Sequence, residues 1–225
     1  MVGCRLEPAM TRTHQLGPAA VAGLLAALLL APAAGAQQAL RPKLEGNALV
    51  SALGSGGYVL LMRHTSTEHV APDPETFDLR DCATQRNLSA QGRREAEGMG
   101  RAFAKLGIPV GEVLASPYCR CLETGRLACG RVAEHETLSV WDDLTVVERS
   151  ERGGEIRKML DTAPPAGSNT VLITHTGALL YSFGLATRPE GVIHVFRPVD
   201  GAPGEYVGML TPPDWLRLAG IEAQP

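Results

Sequence analysis

The chain has 225 residues, of which 44% are hydrophobic, 4% aromatic and 20% charged, and its formal net charge is -3. This composition excludes a mainly disordered chain, a collagen-like chain and a protein that spans a membrane many times. The balance of 21 basic against 24 acidic residues lacks the basic excess of a nucleic-acid binder, so no nucleic-acid partner is expected.

The first 36 residues read as a secretory signal peptide. Arg5 and Arg12 precede an apolar run from Ala19 to Ala31, Pro32 ends it, and Ala34-Gly35-Ala36 offers small residues for cleavage after Ala36. The run has 13 residues, short of the roughly 20 that cross a bilayer, so no stable membrane anchor is expected. Met10 is an alternative start. The expected location is periplasmic or secreted, where disulfides are permitted. Four cysteines follow the cleavage site: Cys82, Cys119, Cys121 and Cys129. Cys121 and Cys129 on one helix would lie about 12 Å apart, beyond disulfide reach. Cys82 with Cys119 or Cys121 is the more credible pair.

Residues 37–56 read as leader and linker, with a short helix over Leu49–Leu53, and residues 57–225 as a single domain. Tyr58–Met62 is a short apolar run of the buried-strand type. Residues 69–87 read as a loop. Ser89 caps an expected helix to about Leu106, with Ala96, Met99, Phe103 and Leu106 on one side. Val113–Ala115 is a second strand, followed by a helix over about Cys121–Cys129. Thr137–Val140 is an expected third strand and residues 153–161 an expected helix. Thr170–Ile173 is a further buried strand with a helix after it, and Val192–Phe196 with Tyr206–Leu210 forms a closing strand pair. Strands alternating with helices, the strands wholly apolar, predict a three-layer α/β/α sandwich with a largely parallel central sheet.

Three apolar strands stop at one kind of chemistry: Arg63 and His64 after the first, Arg120 after the second, His175 after the fourth. Ligands of open α/β sheets sit at the carboxyl ends of strands. Two guanidiniums and two imidazoles with little acid nearby suit a phosphate dianion.

Four segments resemble, in order, the signature blocks of the histidine phosphatase (phosphoglycerate mutase-like) superfamily. They are Leu61-Met62-Arg63-His64-Thr65, Arg86-Asn87-Leu88-Ser89-Ala90-Gln91-Gly92, Ser116-Pro117-Tyr118-Cys119-Arg120-Cys121-Leu122-Glu123-Thr124, and Val171-Leu172-Ile173-Thr174-His175. The resemblance implies a phosphoglycerate mutase-like fold and an exported phosphomonoesterase of the histidine acid phosphatase type. In it His64 forms a phosphohistidine, Arg63, Arg120 and His175 hold the phosphoryl oxygens, and Asn87 and Thr65 make second-tier contacts. Thr65 and Gly125 depart from the usual Gly and Ala. The general acid is open among Glu148, Asp142, Asp143 and Glu151, with Glu148 favoured, because the position after the second histidine is Thr176. No metal or other cofactor is expected, since the arginines supply the positive charge. The expected partner is a small-molecule or envelope phosphomonoester. The alternative is a non-catalytic phosphate-binding or interaction module that keeps the pocket. Cysteine-phosphatase spacing fails, and the histidines at 69, 135 and 194 are too scattered to suggest zinc.

Overall fold

The computed structural model describes residues 40–68, 73, 76–141 and 144–222, besides residues 1 and 3. The expected signal peptide, with its cleavage site, lies outside the described residues. Every element below lies within Ala39–Pro225.

Six strands form one sheet in the order β3-β2-β4-β1-β5-β6. β1 (Val59–Arg63), β2 (Val110–Ala115), β3 (Ala133–Glu134) and β4 (Asn169–Thr174) are mutually parallel. β5 (Ile193–Val199) and β6 (Ala202–Leu210) close the other side antiparallel. The helices are α1 (Gly46–Gly54), α2 (Ala90–Lys105), α3 (Cys119–Cys129), α4 (Val146–Asp161), α5 (Thr176–Phe183) and α6 (Pro212–Ala219).

The three layers follow from the alternation of side chains along a strand. Leu60 and Met62 of β1 point into a core shared with Leu49 and Leu53 of α1, Met99 and Phe103 of α2, Leu122 of α3 and Trp215 of α6. Val59 and Leu61 point the other way, into a second core with Ile156 and Leu160 of α4 and Leu179 of α5. Both faces of β1 and β4 are buried, which is why Val59–Met62 and Val171–Ile173 are apolar. The expected α/β/α sandwich, largely parallel with an antiparallel closing pair, is the observed architecture. Among the described residues no helix is long and apolar enough to cross a membrane.

Several local expectations are corrected. Residues 43–54 are not linker. Leu49 and Leu53 of α1 are fully buried, and the backbone N–H groups of Lys43 and Leu44 both donate to the Val207 carbonyl of β6. The strand expected at Thr137–Val140 is a 3-10 turn at Glu136–Leu138, and the third strand is the two-residue β3 before it. Only Leu138 of that turn is buried, and its carbonyl accepts from the Thr174 hydroxyl at 2.7 Å, so the segment crosses the sheet end instead of extending it. The helix expected from residue 153 starts at Val146, behind a capping box of Thr145 and Glu148. α6, which the sequence reading did not anticipate, begins with Pro212 and Pro213 behind Thr211 and Asp214, the same box with Asp in the third place.

Candidate active site

β4 lies between β1 and β2, so the carboxyl ends of these three strands are neighbours. Arg63, His64, Arg120 and His175 meet there, all of them buried. The backbone of His64 is held from both sides: its N–H donates to the Thr174 carbonyl at the end of β4, and its carbonyl accepts from Gly191. The ring is fixed as well. Nδ1 lies 2.9 Å from the Thr65 carbonyl, which only accepts, so Nδ1 carries the proton and Nε2 keeps the lone pair. Burial, then Arg120, push the His64 pKa well below the usual histidine value; the Thr65 contact opposes them, and Arg63 and Arg86 add to the depression. His64 is therefore a neutral imidazole with a nucleophilic Nε2.

His175 stands 5.4 Å from His64, centroid to centroid. Its Nδ1 is 3.2 Å from Arg120 Nη2, an obligate donor, so Nδ1 accepts. Nε2 then carries the proton and donates to Ser116 Oγ at 2.8 Å. Burial and the Arg120 charge hold this ring neutral too. Both nitrogens are occupied, so His175 positions Arg120 and has no free donor for a phosphate. Tyr118 packs against the His175 ring at 5.0 Å and under the Arg120 guanidinium at 4.5 Å.

Each arginine has carboxylate support that the sequence reading missed. Arg63 Nη2 pairs with Glu190 Oε1 at 2.5 Å while Nη1 donates to the Thr187 carbonyl. Arg120 Nη1 pairs with Asp73 Oδ1 at 2.9 Å. What remains is informative: the Nε–H groups of Arg63 and of Arg120 are buried and have no partner among the described residues. A buried donor left unpaired costs about 1–3 kcal/mol, so these two call for an acceptor. Arg86 belongs to the same field, since its charge acts on both histidines.

Thr124 ties the nucleophile loop to the arginine helix. Its hydroxyl donates to the Arg120 carbonyl at 2.7 Å and accepts from Thr65, from Oγ1 at 3.2 Å and from the backbone N–H at 3.3 Å. The expected phosphate contact of Thr65 is thus turned inward to α3. Gly92, the glycine of the second sequence block, brings the first turn of α2 against the loop: a Cβ there would sit 1.9 Å from the Ser66 carbonyl oxygen. Gly125 is explained by the neighbouring chain, because a Cβ would meet the Val132 side chain at 2.9 Å.

Asn87 is not placed as expected. Its amide donates to the carbonyls of Cys82 and Gln85, at 2.6 and 3.0 Å, and braces the loop in front of α2. Glu148 is exposed and its carboxylate accepts from the Thr145 N–H and hydroxyl at 2.8 and 2.6 Å. These bonds lower its pKa, which favours the ionised cap over a proton donor, and no contact joins it to the cluster. Glu151 is exposed on α4, and Asp142 and Asp143 lie outside the described residues. Cys82 and Cys119 form a disulfide closing 37 residues of chain, one of the two pairings expected. Cys121 is buried against His175 with its thiol pushed up to about 12, chiefly by burial, so it stays protonated. Among the described residues no three His, Cys, Asp or Glu side chains gather to hold a metal.

Burial also holds His194 neutral, against the pull of the Ala186 carbonyl, so three folded-state histidines resist protonation. In the unfolded chain each titrates near pH ~6.5. Below that pH the unfolded state binds more protons, and stability falls by about 1.4 kcal/mol per pH unit for each histidine until the lower folded-state pKa is reached. The urea midpoint is therefore expected to drop steeply between about pH 7 and about pH 5. A flat midpoint over that range contradicts the neutral assignment of these rings.

Residues 59–148 match the family model described as histidine phosphatase superfamily (branch 1). No curated protein matches the sequence. Among solved structures, the protein histidine phosphatase SixA complexed with tungstate is 16% identical, with a TM-score of 0.48 over 70% of this chain and 98% of that one. The putative phosphohistidine phosphatase SixA from Agrobacterium tumefaciens is also 16% identical, with a TM-score of 0.49 over 69% and 98%. A phosphoserine phosphatase mutant from Entamoeba histolytica in complex with phosphoserine is 12% identical, with a TM-score of 0.45 over 70% and 98%.

Proposed function

We propose that the chain is a phosphohydrolase of the histidine phosphatase superfamily, acting on phosphate monoesters through a phosphohistidine on His64. The observation that carries this reading is the neutral His64 ring, its Nε2 unprotonated, beside two arginines whose buried Nε–H groups have no acceptor among the described residues. The match of residues 59–148 to the family model supports it.

In the first step Nε2 attacks phosphorus and the phosphorus–oxygen bond to the leaving group breaks, the electron pair departing with that oxygen. The ring gains positive charge, and the Nδ1–H bond to the Thr65 carbonyl strengthens as it does. Arg63, Arg120 and Arg86 surround the transferring group, where negative charge spreads at the transition state. In the second step water attacks phosphorus, the nitrogen–phosphorus bond breaks, and neutral His64 returns with inorganic phosphate. With Glu148 held in its cap, a leaving group that departs as a stable anion is the favoured substrate.

We place this activity after export. The basic, apolar and Ala-Gly-Ala segments of the leader support that placement, as does the Cys82–Cys119 disulfide, which persists in oxidising compartments. The test is hydrolysis of p-nitrophenyl phosphate by the purified chain, whose p-nitrophenolate leaves without a donated proton. Turnover supports the enzyme reading. Phosphate binding with no turnover supports the non-catalytic module instead.

A further inference from the structure

We propose that Asp73 is an internal competitor for the phosphate subsite: its carboxylate holds the Arg120 guanidinium and the Arg86 amide that an incoming phosphoryl oxygen needs, and so sets the affinity of the site for dianions. This inference rests on the phosphohydrolase reading above.

Asp73 Oδ1 accepts from Arg120 Nη1 at 2.9 Å and from the backbone N–H of Arg86 at 3.0 Å. A guanidinium edge beside a backbone amide is a donor set that suits a phosphate oxygen as well as a carboxylate. The side chain of Asp73 is 14% exposed and that of Arg120 only 2%, so the carboxylate lies on the more open side of the pair. Glu190 differs. Its Oε1 takes Arg63 and its Oε2 takes the Thr67 N–H at 3.0 Å, so both oxygens clamp the nucleophile loop. Asp73 Oδ2 makes no hydrogen bond to a described residue, as suits a group that must yield its place.

Charge points the same way. Arg63, Arg86 and Arg120 act on both histidines, and Asp73 and Glu190 pair with two of them. With Asp73 displaced or neutralised, the positive charge facing a dianion rises by one unit. In a site this buried the difference is little screened by salt.

Asp73→Asn isolates the charge, since the amide oxygen still accepts from Arg120 and Arg86. Calorimetric titration of inorganic phosphate onto the purified chain, with KM for p-nitrophenyl phosphate, reads the effect. Phosphate Kd and KM are each expected to fall by about tenfold, and Asp73→Ala is expected to shift both in the same direction. Unchanged or weaker phosphate binding in Asp73→Asn overturns the inference, because Asp73 would then hold Arg120 in place. Calorimetry does not depend on turnover. A chain that binds phosphate tightly and hydrolyses nothing thus defeats the functional reading alone, and the Asp73 comparison still returns its own answer.

Discussion

His64→Ala is expected to lower the hydrolysis of p-nitrophenyl phosphate by at least about 10^4-fold, because the covalent route is lost with the nucleophile. The reason is specific to this ring. Its backbone is pinned to Thr174 and Gly191, its Nδ1 proton is committed to the Thr65 carbonyl, and burial with the neighbouring arginines keeps it neutral. Each of those constraints leaves Nε2 as the atom that reacts. The backbone bonds survive the substitution, so the variant should keep the circular dichroism spectrum of the parent. Residual activity within about tenfold of the parent, in a folded variant, contradicts the assignment.

The second large effect is expected at Arg120. Arg120→Ala removes a guanidinium that touches Asp73, His175 and Tyr118 at once, leaving His175 Nδ1 without its donor and Asp73 without its ion pair. A loss of about 10^3-fold in kcat/KM is expected from the missing transition-state charge and the disorder of His175. Arg120→Lys keeps the charge but cannot span Asp73, His175 and a phosphoryl oxygen with one ammonium. It is expected to recover no more than about tenfold of that loss. Full recovery by lysine would show that only the charge matters and that the planar fork is unused.

Much of this architecture is legible in the sequence, for a physical reason. Both faces of β1 and β4 are buried, so Val59–Met62 and Val171–Ile173 read as apolar runs that stop abruptly at Arg63, His64 and His175. Ser89 and the glycine at 92 mark the start of α2 just as plainly. Other elements are less visible. α1 is legible only as a short helix over Leu49–Leu53 within a segment read as leader and linker, because only Leu49, Val50 and Leu53 of its nine residues are buried. Thr137–Val140 imitates a strand in composition, while a single buried leucine decides its course. α4 hides its first turn, since Val146 and Val147 are β-branched residues exposed on a capped helix.

The site divides in the same manner. Residues named by strand ends, His64, Arg63, Arg120 and His175, converge. The carboxylates that hold them do not announce themselves: Glu190 lies 127 positions from Arg63 and Asp73 lies 47 from Arg120. No local pattern encodes such pairings. Thr124 was visible as the last residue of the third sequence block, but only the fold reveals that its hydroxyl joins Thr65 to Arg120. Glu148 shows the opposite error. A glutamate three residues after a threonine is a helix-cap signal as readily as a candidate acid, and here the cap has claimed it.

The most direct test is to look for the intermediate itself. Rapid mixing of the chain with p-nitrophenyl phosphate, followed by quenching under alkaline conditions and mass spectrometry of the peptide containing His64, should reveal a mass gain of about 80 Da, one phosphoryl group, on that histidine. The adduct should disappear on brief acid treatment and be absent from His64→Ala. Turnover at full rate with the phosphoryl group found on another residue, or on none, would contradict the account.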